Sequence, residues 1–366
     1  MSLFRDPLNQ RRWTIFKANA RGFWSFWIFM ALFMMSLFAP FIANDRPILV
    51  NYKGEFLFPT FKDYPEAKFG GFLAQTNFRD PANLDEINAN GWMIWPPLHF
   101  SYGTVNTEIP GPAPSKPAFL LTPEERCVKY PNSVADSQCL IGNMNWLGTD
   151  DQGRDVVARL IYGYRISVAF GLILTFFSSI IGITAGAIQG YFGGWIDLIF
   201  QRFIDIWSSM PTLYLLIILG AFITPSFWLL LFILVLFSWT GLVHLIRAEF
   251  LRARNFEYVR AARALGLPNW KIMFKHLLPN AMVSAVTFMP FILAGSVTTL
   301  TALDYLGFGL PPGSASLGEM VAQGKNNIQA PWLGITIFLM LSVMLTLLVF
   351  IGEAVRDALD PRKTFQ

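Results

Sequence analysis

The sequence predicts an all-α membrane protein of six transmembrane helices, with a long loop between the first and the second. Three observations carry this. Only 14% of the 366 residues are charged while 54% are hydrophobic, and a water-facing surface needs about a quarter of its residues charged. Six stretches come close to the roughly 20 apolar residues that a helix needs to cross a bilayer. The basic residues cluster in alternate connections, as they do when those connections lie on the cytoplasmic side.

Residues 1–22 form a tail with Arg5, Arg11, Arg12, Lys17 and Arg21. The first span occupies 23–44, its apolar body running from Phe23 to Ile42. It is too long for a signal-peptide core and has no small-residue cleavage site, so a retained anchor is expected. Residues 45–165 follow as an external loop or insertion, mixed or irregular in structure. The five-helix remainder spans 166–352. Its second span is Ile166 to Tyr191, and its third is the apolar run Pro211 to Ile223. An amphipathic lead-in with Asp197, Arg202 and Asp205 precedes Pro211. A bend is expected there, because proline removes a backbone donor. The fourth span is Phe227 to Leu245, the fifth Ala281 to Leu303 with Pro290 inside it, and the sixth Trp332 to Ile351. A loop at 247–280 holds seven Lys/Arg against Glu249 and Glu257, and the tail 353–366 adds Arg356, Arg362 and Lys363. With six spans, both tails and this loop share one side, expected to be cytoplasmic.

The segment from Asp45 to Leu160 carries ten Lys/Arg against 14 Asp/Glu and the run Pro110-Gly-Pro-Ala-Pro114. Cys127 and Cys139 both fall within it. On the oxidising side they are a candidate disulfide. Two free thiols are the alternative, since sequence spacing does not fix geometry. His99, His244 and His276 are far apart, no spacing resembles a zinc site, and no metal is expected. The net charge of +4 gives no ground for nucleic-acid binding.

The loop before the fifth span reads Glu257-Tyr-Val-Arg-Ala-Ala-Arg-Ala-Leu-Gly266, then Leu-Pro-Asn-Trp-Lys-Ile-Met-Phe-Lys, then His276-Leu-Leu-Pro-Asn280. A small-residue helix is expected to stop at Gly266, where a glycine can turn the chain. Pro268 is placed to start a second short helix, and Pro279 precedes the next span. Such a helix–turn–helix is a rigid knob whose alanines let it seat in a partner's groove. The run resembles the coupling motif of permease subunits of binding-protein-dependent ABC importers. Ala261, Ala262, Gly266, Leu278 and Pro279 match it in register. Arg260 replaces the usual Glu, and His276 stands where an aliphatic residue is common.

A second motif narrows the resemblance. Leu147-Gly-Thr-Asp-Asp-Gln-Gly-Arg-Asp-Val156, followed by Arg159-Leu-Ile-Tyr-Gly-Tyr-Arg-Ile-Ser167, resembles the signature ahead of the second span in dipeptide, oligopeptide and nickel permeases. Gly148, Thr149, Asp150, Gly153, Arg154 and Asp155 are its candidate site residues. Tyr191-Phe-Gly-Gly-Trp-Ile-Asp197 and Leu306-Gly-Phe-Gly-Leu-Pro-Pro312 are similar to that group as well. The long external loop resembles that of microcin C and peptide importer permeases. The resemblance implies the type I importer permease fold. It also implies a second, non-identical permease subunit, two ATPase subunits or one fused ATPase, and a periplasmic solute-binding protein. The cargo it implies is a peptide or peptide-like compound, and the place the bacterial inner membrane. ATP and Mg would be held by the ATPases, not by this chain.

Blander readings stand beside these. Arg154/Asp155 reads first as a structural ion pair, with gating or receptor docking as the functional alternative. Gly182-Ile-Thr-Ala-Gly186, continuing to Gly190, reads as close helix packing, with the subunit interface as one setting for it. Asp304 at the outer end of the fifth span is a candidate pathway residue, or simply faces water. No phosphate-binding Gly-x4-Gly-Lys-Ser/Thr loop is present. Gly318 to Asn326 is nearest, with five residues between its glycines and Asn after Lys325. The chain is therefore not expected to be an enzyme. A membrane-embedded transferase would need a polar cluster at one depth, which the sequence lacks. An ATPase-binding assembly or sensor subunit without transport is the remaining alternative.

Overall fold

The computed structural model describes residues 7–122, 125 and 141–360. The chain opens with α1 (Pro7–Ala18) and α2 (Ala20–Leu37). Asn19 separates them, its side chain accepting a hydrogen bond from Gly22 N at 3.2 Å. The first span stops at Phe38, ahead of Pro40, and a single turn α3 (Ala39–Ile42) completes it. The apolar run that reads as one helix to Ile42 is thus broken where proline withholds its donor.

The insertion that follows is folded. Strands β1 (Leu49–Tyr52), β2 (Glu55–Leu57) and β3 (Gly91–Ile94) form an antiparallel sheet in the order β2-β1-β3, with Val50 opposite Leu57 and Met93. One face of the sheet carries Val50, Tyr52 and Leu57 into a small core with Phe69, Phe78 and Ile87 of helix α4 (Pro81–Asn90). Cys127 and Cys139 lie outside the described residues.

The bundle itself comprises α5 (Val156–Phe192), α6 (Gly194–Ser208), α7 (Thr212–Phe222), α8 (Phe227–Ser238), α9 (Thr240–Ala253), α10 (Glu257–Ala264), α11 (Asn269–Lys271), α12 (Leu278–Tyr305), α13 (Leu317–Asn326) and α14 (Pro331–Leu359). Helix α5 starts at Val156, ten residues ahead of the expected span, and its polar first turns are covered by protein: Arg159 is fully buried and Tyr162 and Tyr164 nearly so. Helices α6 and α7 meet at a 61° bend, at the Pro211 that the sequence marks. Helices α8 and α9 join into one span, Phe227–Ala253.

Among the described residues five helical stretches are long and apolar enough to cross a membrane, and six if the bent pair counts as one. Packing decides for six. Gly182 lies against Trp239 and Leu242, Gly186 against Val243 and Ile246, and Gly190 against Arg247 and Phe250. The numbers rise together, so α5 and α9 run parallel, and the chain must cross back between them. Only α6–α7 is available for that crossing. A Cβ at Gly186 would sit 2.8 Å from Val243 O and one at Gly190 2.7 Å from Arg247 O. The glycine stripe therefore packs within this chain, not against another subunit.

Helix α12 runs antiparallel to α5, with Gly171 against Leu293 and Val297, and Ala187 and Tyr191 clustering with Ala281 and Ala285. Helix α14 is antiparallel to α2, with Gly22 touching Ala354, and Phe16 of α1 packs on Ala354 and Ala358. Both ends of the described chain thus lie on one side of the bundle, with α10. The insertion lies on the other, where Tyr162 Oη donates to Ala43 O at 3.0 Å.

Candidate functional sites at the two ends of the bundle

On the insertion side, the signature residues fold around the carboxylate of Asp150. Gly148 and Gly153 both adopt φ +80°, a region that only glycine enters cheaply. Between them the chain doubles back: Asp150 N donates to Arg154 O at 2.9 Å, and Asp150 Oδ1 accepts from Gln152 N and Arg154 N at 2.9 and 2.8 Å. Thr149 Oγ1 accepts from Ser115 N at 2.8 Å, tying the loop to the insertion. Asp155 caps α5, with Oδ1 accepting from Ala158 N and Oδ2 from Asn145 Nδ2, both at 2.8 Å.

Arg154 pairs with Asp150, not with Asp155. Its Nε donates to Asp150 Oδ2 at 2.7 Å and its Nη2 to Glu319 Oε1 of α13 at 2.9 Å. Arg159 enters the same cluster one turn into α5, donating through Nη2 to Glu319 Oε2 at 3.0 Å and to Ser314 O at 3.2 Å. Its Nη1 is 3.3 Å from Asp150 Oδ2, close enough for ion pairing but not aligned as a hydrogen bond. Gln323 Nε2 donates to Glu319 Oε1 at 3.3 Å. Two guanidiniums are thus matched by two carboxylates in a site where Arg154, Arg159 and Asp150 are almost wholly buried. Burial works against the Arg154 charge, but Asp150 and Glu319 outweigh it and its pKa is raised. Asp155 has no cationic partner in this cluster. Burial raises its pKa to about 6, against the pull of its hydrogen-bond donors.

Asp304, the candidate pathway residue, is committed locally. Oδ1 accepts from Leu310 N at 2.7 Å and Oδ2 from Ser316 Oγ at 2.6 Å. It closes the Leu306-Gly-Phe-Gly-Leu turn, where a Cβ on Gly309 would fall 1.8 Å from Asp304 Oδ1. Its neighbour Gly318, packed on Asp304 Cβ and Thr301 O, brings α13 and Glu319 to the signature.

Glu319 lies outside the signature, and Arg159, which opens its second half, is not among its candidate site residues. Ser316-Leu-Gly-Glu319 is a capping sequence, and Ser316 Oγ does accept from Glu319 N at 3.0 Å. It marks a helix start, but nothing local in the sequence shows that the Glu side chain crosses to residues more than 150 positions earlier.

On the opposite side, α10 ends in a Schellman turn. Gly266 has φ +76°, Gly266 N donates to Arg263 O at 2.9 Å and Leu267 N to Ala262 O at 3.2 Å. The inner face of α10 is apolar: Val259 and Ala262 are buried with Ile246, Phe250, Ile272, Met273 and Leu277. Glu257, Arg260 and Ala261 are exposed, as are the large side chains of Tyr258, Leu265 and Trp270. Ala261 therefore faces outward and Ala262 inward.

The second short helix is not a separate knob. Pro268 caps α11, which passes through a wide π turn (Ile272–Leu277, containing His276) into Leu278 and Pro279 of α12. Pro279 has no N–H for the residue one turn before it, which accounts for the widened turn. The loop is consequently continuous with the fifth span, and helix runs from Asn269 to Tyr305. Tyr191 Oη donates to Asn269 Oδ1 at 2.7 Å, and the Arg263 guanidinium lies 5.1 Å from the Tyr191 ring centre. Arg247 makes a bidentate pair with Asp197, at 2.5 and 2.6 Å, fixing the start of α6 to the same platform.

A small-residue helix closed by glycine and merging into a span is the arrangement that the family comparison explains. Residues 163–365 match the family model described as binding-protein-dependent transport system inner membrane component. The chain belongs to this family. It is a permease subunit of the peptide ABC importer group. It is 67% identical to the peptidoglycan transport system permease protein YejE of Agrobacterium fabrum, over 99% of this chain and 95% of the relative. It is 53% identical to the inner membrane ABC transporter permease protein YejE of Escherichia coli, over 98% of both. The oligopeptide transport system permease protein OppC of Lactococcus lactis is 35% identical over 60% of this chain and 76% of that protein. An inward-facing MetNI methionine ABC transporter chain aligns at a TM-score of 0.47 and 20% identity, over 55% of this chain and 96% of that one. The family places the chain in the inner membrane as a transport component; its members are not themselves catalytic.

Proposed function

We propose that this chain lines half of an import pathway for peptides or peptide-like compounds. A second, non-identical permease subunit supplies the other half, and two ATPase domains dock beneath α10. The carrying observation is the α10 turn itself. Its apolar face is seated on α9 and on the helix that becomes the fifth span, so a force on its exposed face is delivered to a spanning helix without an intervening hinge. Arg260 and Ala261 lie on that exposed face, with Glu257, and are the contact residues. The cargo class is supported by the relatives named for peptidoglycan and oligopeptide transport.

The side that bears α10 and both ends of the described chain is taken as cytoplasmic. Arg11, Arg12, Lys17 and Arg21 and the α9–α12 basic residues lie there, as the positive-inside rule expects. The insertion then faces the periplasm and meets the solute-binding protein. ATP and Mg act on the ATPases; ATP binding favours the state that those domains hold more tightly through α10, and so shifts the pathway between inward- and outward-facing forms. The network around Asp150 and Glu319 holds α13 against the start of α5 on the periplasmic side and keeps that end in one arrangement.

The test is a tagged purification in mild detergent followed by reconstitution. Co-purification of a second permease and an ATPase, and ATP-dependent uptake of peptide when binding protein is added, is the expected result. ATPase capture without uptake of any peptide would instead identify an assembly or sensor subunit.

A further inference from the structure

The insertion holds a cavity of about 510 Å³ that the permease role does not use. It lies between the end of the first span and two insertion segments, 75–81 and 104–108. Most charged groups on its wall are already engaged. Arg46 pairs with Asp63. Asp45 Oδ2 accepts from Thr104 Oγ1 at 2.7 Å, and Asp80 Oδ1 caps α4 by accepting from Ala82 N at 2.9 Å.

Arg79 differs. Its guanidinium stacks 4.2 Å from the ring centre of Phe100, a fully buried residue. Among the described residues no carboxylate comes within ion-pair distance of it. Asp45, Glu108 and Asp155 act on it only from farther away, and burial lowers its pKa. A half-buried guanidinium stacked on an aromatic face, lining a cavity and without an ion-pair partner among the described residues, is half of a recognition pair whose complement is a planar anion held by two hydrogen bonds. The acids on the same wall disfavour a dianion such as phosphate and suit a ligand that also carries an ammonium group. Gln75 and Asn77 on the wall each have one end of the amide engaged, Gln75 Nε2 by Asp63 and Asn77 Oδ1 by Arg79 N, which leaves Gln75 Oε1 and Asn77 Nδ2 to match a peptide backbone. The wall is joined to the signature loop, since Asn106 N donates to Gly153 O at 2.8 Å and Val105 pairs with Arg154.

We propose that this cavity binds the free carboxylate end of a short peptide, with Arg79 as its anchor, before the peptide enters the pathway. The proposal rests on the peptide reading of the cargo. Its test uses the complete transporter in nanodiscs without binding protein, titrated calorimetrically with trialanine and with trialanine amide. The acid should bind, the amide at least tenfold more weakly, and Arg79→Gln should lose a similar factor for the acid. Equal binding of acid and amide to the wild type overturns the proposal without any variant. Unchanged affinity in Arg79→Gln overturns it as well. So does an Arg79→Gln transporter that keeps its trialanine affinity but loses capture of the binding protein, which would make Arg79 a docking contact. Vesicle uptake separates the two readings. A wild type that imports no peptide fails as a peptide importer, whereas import with the same KM in Arg79→Gln removes this site alone.

Discussion

The two ends of the bundle are held by opposite means. On the insertion side, ionised groups are buried: Arg154, Arg159 and Asp150 are matched across three segments with Glu319. On the α10 side the joint of α10 to the spans is apolar, with Val259 and Ala262 pressed on Phe250, Ile272 and Met273; the half-buried Arg247–Asp197 pair ties α6 beside that joint and is not part of it. A desolvated ion network tolerates few geometries, because a misplaced partner leaves a bare charge. An apolar joint capped by one glycine keeps its shape while leaving its outer face free. One end fixes the internal geometry of its three segments, and the other leaves an outer face free for a partner.

The largest expected effect follows from breaking the buried end. Arg159→Met leaves Asp150 and Glu319 to share Arg154, and should cost about 3–5 kcal/mol of stability, the range for breaking a buried ion pair. Thermal unfolding of the purified protein in detergent measures it. The double variant Arg159→Met/Glu319→Gln restores the balance of charge and should recover part of the loss. A single variant as stable as the wild type would show that the cluster is not what holds this end.

Asp155 sharpens the same point through pH. Its native pKa of about 6 lies above the ordinary 3.8, so the folded chain holds this proton more tightly than the unfolded one does. Its contribution is present in full below about pH 4 and is lost as pH rises to about 6, by at most about 3 kcal/mol. Asp155→Asn keeps the cap and should remove this part of the pH dependence. An unchanged profile would mean that the carboxylate is ionised throughout, with Asn145 and the helix amides sufficient to hold it.

How far the sequence anticipates this contrast depends on what each end is made of. The spans, the bend at Pro211 and the glycine stop at Gly266 are written in local chemistry: apolar length, a missing donor, a missing Cβ. The ten residues of α5 that precede the expected span are not legible as helix, because Arg159 and Tyr164 are polar by type yet buried by tertiary contacts. Arg154 reads as the partner of Asp155 yet pairs with Asp150, because neighbours in sequence are not partners when the chain turns through Gly153. Glu319 and Arg79 owe their settings to segments far away in the chain, which no local pattern records. The continuity of α11 with α12 is likewise hidden, since two prolines suggest a break where a π turn carries the helix through.

At the α10 end the expected effects are smaller on stability and larger on coupling. Gly266→Val forces a β-branched residue into the left-handed region, at a cost of about 1–2 kcal/mol. No atom lies within 4 Å of the added Cβ, so the strain is conformational and the chain should still insert. Peptide-stimulated ATPase activity should fall several-fold while membrane levels hold. Normal stimulation would sever the link between the shape of this turn and energy transfer.

The smallest effect completes the contrast. Arg252 and Glu249 form an ion pair at 2.6 Å on the α9 surface, with the Arg side chain 70% exposed. It resembles the Arg154–Glu319 pair in distance but not in setting. Water screens it, and Ser284 Oγ also donates to Glu249 at 3.2 Å, so the acid is not stranded when the Arg is removed. Arg252→Ala should therefore change stability by less than about 1 kcal/mol, and by less still in high salt. If it cost as much as Arg159→Met, burial would not be what separates the exposed Arg252–Glu249 pair from the buried Arg159 cluster, and the stability of a pair could not be read from its setting.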